Sequence, residues 1–288
     1  FIIIIFSNIN PNYAYRKSVS GGYKLMNTKV EKKKKNLRKL PDIKNIIHSS
    51  SDPYEFKRDM TLLFGINYLE NLGIHENSLW DGEVLKKKLD PIGARGWNSI
   101  DEFFKCLNQF HDYVILRNYK SLLNNKLKML SKGDIDILSS SPVDLVSIAN
   151  AEVKKLYPEE GKTSGFITVN GYKIKLDIRT IGDGYFDSKW QRDILKRYTT
   201  FQGILKIPRI DDLFFSIIYH QLLHKGKIRD EHNEMLTIIA KKIGLSELNE
   251  NTFKDTEKMS FLLTEYLKGQ GYEVVKPLDK NLHLIKEV

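Results

Sequence analysis

The sequence predicts an α+β protein with a small mixed sheet in the middle of the chain, flanked by N-terminal and C-terminal helical regions. Three observations carry this. Residues 41–110 and those beyond Pro208 place apolar side chains at helical spacing. Between them lie short aliphatic runs bounded by turn formers, at 113–116, 134–138, 165–169 and 172–178. The last two runs are joined by Asn170-Gly171, the favoured two-residue hairpin turn. A small sheet must bury its apolar face, and the flanking helices supply the cover.

The first segment, residues 1–40, reads as a basic, disordered tail. It holds ten basic side chains against Glu31 alone, so nine of the ten net positive charges of the chain lie there and residues 41–288 carry one. A run such as Lys32 to Lys35 is most simply a solvated stretch. The near-neutral remainder argues against extended nucleic acid as a partner of the core. Phe1 to Phe6 are too short a run to cross a bilayer, and no transmembrane segment is predicted. Met26 offers a start that would make residues 1–25 an extension. A single cysteine, Cys106, excludes an intrachain disulfide and a Cys-rich zinc site, which makes the cytoplasm the expected compartment.

Residues 41–110 form the second segment. Pro41 opens an amphipathic turn, Asp52-Pro53 is a cap followed by a first helical position, and Ile100, Phe103, Phe104 and Leu107 repeat at helical spacing. Residues 111–207 follow as the core. Here Tyr113 to Leu116 is a strand, 119–130 a short helix, Asp134 to Leu138 a strand, and 142–155 a helix before the Asn-Gly hairpin. In the last segment, 208–288, Asp211 or Asp212 caps a helix through Leu223. Further helices run over 230–243 and 254–267, and a terminal hairpin over 272–275 and 281–285.

Chemistry concentrates in the core. Asp134 and Asp136 stand one residue apart in an apolar strand, so both project from one face while Ile135 and Ile137 fill the other. Neighbouring carboxylates repel and are costly to desolvate, which makes a divalent cation their natural partner. The second strand of the hairpin carries Asp177 on one face with Lys175 and Arg179. Should that strand lie beside the acidic one, three carboxylates converge.

This pattern resembles the nucleotidyltransferase superfamily of polymerase-β-like fold, in which an Asp-hydrophobic-Asp pair lies on one strand and a third carboxylate on a later one. The resemblance covers residues 105–225. It implies a nucleotidyltransferase-like core in which Asp134, Asp136 and Asp177 are catalytic and hold magnesium, with manganese as a substitute. It also implies a nucleoside triphosphate or nucleotide-activated donor, and a small-molecule, sugar or protein acceptor. The chain departs from the family where a Gly-Ser pair usually holds phosphate. It reads Leu116-Arg117-Asn118-Tyr119-Lys120-Ser121 instead, so Arg117, Asn118, Lys120 and Ser121 become the candidate phosphate contacts.

Further candidates for nucleotide or substrate binding are Arg179, the turn residues Asp183 and Tyr185, and His220, His224 and Lys225 on a later helix. His220 and His224 have zincin spacing, but Gln221 stands where such an enzyme needs a glutamate base. No Walker loop, Rossmann fingerprint or Gly-x-Ser-x-Gly elbow is present. Two alternatives stay open: a glycosyltransferase using the Asp-x-Asp pair on a nucleotide-sugar diphosphate, and a catalytically inactive nucleotidyltransferase fold serving as a binding protein.

Overall fold

The computed structural model describes residues 3–17, 22–40, 47–50, 52–73, 82, 84, 86, 88, 90–123, 133–157, 160–282 and 284. They fall into two compact units, Phe1–Pro91 and Ile92–Val288. Among the described residues, no helix is long and apolar enough to cross a membrane.

The first unit begins with an antiparallel hairpin of β1 (Tyr13–Lys17) and β2 (Tyr23–Asn27), followed by α1 (Thr28–Leu37). This corrects the expectation of a disordered tail. The Asn27 side chain caps α1 by accepting from the Lys29 and Val30 amides, and Thr28 bonds the Asn12 carbonyl through both its amide and its hydroxyl. Lysines are good helix formers when their charges stay in water, and α1 buries none of its residues. Glu31 adds an i,i+4 pair with Lys35 at 2.7 Å. Next, α2 (Pro53–Phe64) starts as the sequence indicates, with Asp52 as cap and Pro53 in its first turn, and α3 (Tyr68–Leu72) follows. The turn expected at Pro41 lies outside the described residues.

In the second unit, α4 (Ile100–Leu107) leads to β3 (Tyr113–Ile115) and β4 (Asp134–Ser139). Next come α5 (Pro142–Ile148), β5 (Glu152–Tyr157), β6 (Lys162–Val169) and β7 (Tyr172–Thr180). The five strands lie in the order β3-β4-β7-β6-β5, with β4 and β7 parallel and every other pair antiparallel, which is the mixed sheet the sequence predicts. The Asn170-Gly171 turn joins β6 to β7, both residues at positive φ. Beyond the sheet, α6 (Ser188–Lys196) packs on β3 and β4, and α5 on β5 and β7. A small hairpin of β8 (Thr199–Phe201) and β9 (Leu205–Ile207) then leads into the C-terminal helices. These are α7 (Ile210–Tyr219), continued by a π-helical turn over His220–His224, then α8 (Asn233–Lys242), α9 (Glu250–Lys254) and α10 (Thr256–Gln270).

The sequence boundaries shift in several places. Because α4 belongs to the second unit, the expected helical region 41–110 is divided between the two, and 208–288 belongs with the sheet. The helix expected over 142–155 stops at Ile148, because Asn150 turns the chain at φ 48° and the following residues pair with β6. Only a 3-10 turn over Tyr119–Ser121 appears from the helix expected at 119–130, of which 124–130 lie outside the described residues. The expected strand at 272–275 is absent, since the segment after α10 bonds to a loop of the core instead, through the Leu278 amide and the Asp183 carbonyl at 2.9 Å. Its proposed partner includes residues that are not described. Asp211 and Asp212 lie in the first turn of α7 rather than capping it. Asp212 is fully buried and accepts from the Trp190 indole, Arg197 and the Tyr266 hydroxyl.

Candidate functional site

The parallel register of β4 and β7 places Asp134 beside Lys175, Asp136 beside Asp177, and Leu138 beside Arg179. Register partners share a face, so all three acids project from the same side of adjacent strands. The opposite face pairs Ile135 with Leu176 and Ile137 with Ile178, all buried. A one-residue slip would exchange this apolar set for the charged one, so the aliphatic pairs fix the acids in place.

Each acid meets its own cation. Asp134, at the exposed start of β4, pairs with Lys175 at 3.1 Å. Asp177 lies 3.6 Å from Arg179. Asp136 is only 5% exposed and receives a two-pronged contact from Arg117, Nε to Oδ2 at 2.8 Å and Nη2 to Oδ1 at 2.7 Å. Burial holds the Asp136 carboxyl above the ordinary carboxylate range. The Arg117 charge pulls it back in part, and the charges of Asp134 and Asp177 push it up again. That mutual repulsion is the electrostatic signature of three acids sharing one face.

Arg117 reaches Asp136 because the Leu116 amide bonds the Asp136 carbonyl, carrying the pairing of β3 and β4 one step further. The next residue, Asn118, takes a left-handed conformation at φ 59° and redirects the chain. Tyr119 is then buried against Phe201, Lys120 is exposed, and the Ser121 hydroxyl bonds the Asn118 carbonyl. Of the four phosphate candidates in this stretch, Arg117 alone is joined to the acids among the described residues.

The loop after β7 supplies the next layer. The carboxylate of Asp183 accepts from the Thr180 amide, the Tyr185 amide and Gln191 Nε2, so this residue builds the loop that presents Tyr185. Arg179 donates to the Gly161 carbonyl and to Asp279 in the C-terminal segment, and its guanidinium lies 4.5 Å from the centre of the Tyr185 ring. Tyr185 is buried, with its hydroxyl 2.8 Å from Arg117 Nη1 and 2.7 Å from His220 Nδ1. His224 Nδ1 is 3.2 Å from His220 Nδ1, while His224 Nε2 is buried with no partner among the described residues. Burial and the charges of Arg117 and Arg179 lower the pKa of both imidazoles, that of His224 to about 4, so both are neutral near pH 7. Lys225 is exposed and adds to this effect.

The structure therefore unites most of the candidates: the three acids, Arg117, Arg179, Tyr185, His220 and His224. The sequence reading did not anticipate that Arg117, Tyr185 and His220 bond in series, because they lie on separate elements and no spacing links them. It also missed a group in the first unit, where His48 Nε2 lies 3.4 Å from both Glu55 and Asp59. Among the described residues, this is where three ligand atoms of His, Cys or carboxylate lie within 4.8 Å of one another. The signal was the i,i+4 spacing of Glu55 and Asp59 on one face of α2. The oxygens of the β4 and β7 acids turn instead towards Lys175, Arg117 and Arg179. No family model, curated protein or solved structure matches the chain.

Proposed function

We propose that the second unit is a metal-dependent nucleotidyltransferase-like enzyme, transferring a nucleotidyl or phospho-group from a nucleotide donor to a small-molecule, sugar or protein acceptor. The observation that carries this reading is the pairing of Asp136 with Asp177 across parallel strands, with Asp134 on the same face. Carboxylate oxygens are the hard ligands magnesium prefers, and although those of Asp134, Asp136 and Asp177 turn towards Lys175, Arg117 and Arg179, a cation that displaced these partners would relieve the repulsion among the three acids. In this reading Asp134, Asp136 and Asp177 would hold magnesium, which would supply neutralisation of charge on the phosphates. Asp177, half-buried and weakly paired, takes the proton of the acceptor hydroxyl. Arg117 uses three of its five N–H donors on Asp136 and Tyr185, so two remain for phosphate oxygens.

One observation favours a second reading. Each acid already has a cationic partner within its own unit, as in a fold that keeps its architecture but serves as a binding protein. An assay separates the two. The protein is incubated with each labelled nucleoside triphosphate, CDP-activated alcohols and nucleotide sugars, with magnesium or manganese, beside an Asp134→Asn, Asp136→Asn double variant. Release of pyrophosphate in the wild type alone supports nucleotidyl transfer. Release of a nucleoside monophosphate supports phospho-group transfer, and release of a nucleoside diphosphate points to glycosyl transfer. No metal-dependent turnover with any donor leaves the binding protein.

A further inference from the structure

The hydrogen bonds around Tyr185 can be given directions. Arginine only donates, so the Tyr185 oxygen accepts from Arg117 Nη1 and its own O–H must donate elsewhere. His220 Nδ1, 2.7 Å away, is the acceptor. The proton of this neutral ring therefore sits on Nε2. His224 Nδ1, 3.2 Å from the same nitrogen, is then assigned as an N–H donor that shares this single lone pair with the Tyr185 hydroxyl in a three-centre contact. The result is a continuous series in which His224 and Tyr185 both donate to His220, while Arg117 donates to Tyr185 and to both oxygens of Asp136.

Bulk water has little access to these groups, since Tyr185 is 2% exposed and both histidines 7%. The Tyr185 ring is held between neighbours, with Phe186 at 4.7 Å, His224 at 4.8 Å and the Arg179 guanidinium at 4.5 Å. Its amide is tied to Asp183. The histidines stand on a π-helical turn, a local departure from the α-helix that recurs at functional sites. Asp136 thus has its carboxylate oriented by a guanidinium that is itself oriented from a helix in a separate part of the unit.

We propose that Tyr185 and His220 are positioning residues of the acidic site: acting through Arg117, they fix the plane of the guanidinium and hence the direction in which Asp136 presents its oxygens. Their consequence for turnover rests on the nucleotidyltransferase-like reading above, whereas their hold on Arg117 does not.

The test compares Tyr185→Phe, His220→Leu and His220→Asn. The asparagine amide oxygen falls near the place of Nδ1 and keeps the acceptor, and leucine removes it. The first readout is the water exchange of the Arg117 Nε proton by nitrogen-15 NMR, its resonance identified with Arg117→Lys. Loss of one buried hydrogen bond corresponds to roughly a tenfold change in an opening equilibrium. Tyr185→Phe and His220→Leu are expected to speed exchange about tenfold, and His220→Asn to stay within about twofold of the wild type. Unchanged exchange in the first two, or equal damage from asparagine and leucine, would overturn the proposal. Should either variant fail to fold, the imidazole nitrogen shifts of the wild type decide. The proposal requires the proton on Nε2 of His220 and on Nδ1 of His224, and the opposite tautomers contradict it. Where the wild type turns over, kcat should fall in Tyr185→Phe and His220→Leu and recover in His220→Asn. A wild type without turnover counts against the enzymatic reading only, because exchange and tautomer state still judge the relay.

Discussion

Asp136 and Asp177 face one another as register partners across the parallel strands β4 and β7, one buried under an arginine and the other half-exposed beside a second arginine. This difference in environment separates their expected roles. Asp177→Asn removes a long ion pair of 3.6 Å, and because the buried Arg179 keeps Asp279 and the Gly161 carbonyl as partners, the loss should stay near about 1 kcal/mol. Its melting temperature should stay close to the wild type while metal-dependent turnover drops by about 100-fold or more, as expected for a lost proton acceptor. Full turnover in this variant would remove Asp177 from the mechanism.

Arg117 and Asp136 behave as a unit. Replacing Arg117 with Gln leaves a buried carboxylate without its charge partner, a change that destabilises by roughly 3–5 kcal/mol. Adding Asp136→Asn removes the stranded charge, so the double variant should be more stable than Arg117→Gln alone. Urea denaturation of the two singles and the double gives the coupling. Additive effects would mean that the guanidinium and carboxylate act independently.

His111 predicts acid sensitivity outside the site. It is 2% exposed, bonds the Ser139 hydroxyl through Nε2, and burial pushes its pKa down to about 4 against the opposing pull of Asp144 and Asp112. The unfolded chain protonates this ring near pH 6.5, the folded chain only near pH 4. The unfolded state therefore binds more protons between these values, and the contribution of His111 is lost as pH falls from about 6.5 towards about 4, by up to ~1.4 kcal/mol per pH unit. His111→Gln should flatten the pH dependence of stability in this window relative to the wild type. Identical slopes would show that the ring titrates alike in both states.

Gly184 provides a steric test of how the C-terminal segment closes on the core. A Cβ there would stand 2.2 Å from the Lys276 carbonyl oxygen, and the residue has φ 71°. Gly182 in the same loop has φ 86° but open space around a Cβ. Gly182→Ala should cost about 1 kcal/mol for the left-handed backbone alone, and Gly184→Ala clearly more. The second should also expose residues 276–279 to proteolysis, loosening the contact of Asp279 with Arg179. Equal thermal shifts would contradict the packing.

Much of the site was legible because it depends on alternation within strands. Ile135, Ile137, Leu176 and Ile178 identify the buried face of two strands, and the acids between them follow. Asn170-Gly171 marks its own turn through a local backbone requirement. Less legible was whatever depends on tertiary partners. The stretch after Asn150 has residues compatible with a helix, yet pairs with β6. Asp183 read as a ligand because it lies between glycines, but its oxygens are bonded to Thr180, Tyr185 and Gln191. Arg117 was identifiable as a cation near the acids, while its contact with Asp136 arises only when Leu116 extends β3 along β4.

The most direct measurement for the account as a whole is a titration with Mn2+ followed by electron paramagnetic resonance. It compares the wild type, the Asp134→Asn, Asp136→Asn double variant, and His48→Ala as a control for the group of His48, Glu55 and Asp59. The account predicts that the wild type binds Mn2+ in competition with Mg2+, that the double variant binds it at least about tenfold more weakly, a loss on the order of that for a broken charged contact, and that His48→Ala retains the β4 and β7 site. Equal Mn2+ binding by the wild type and the double variant would contradict it.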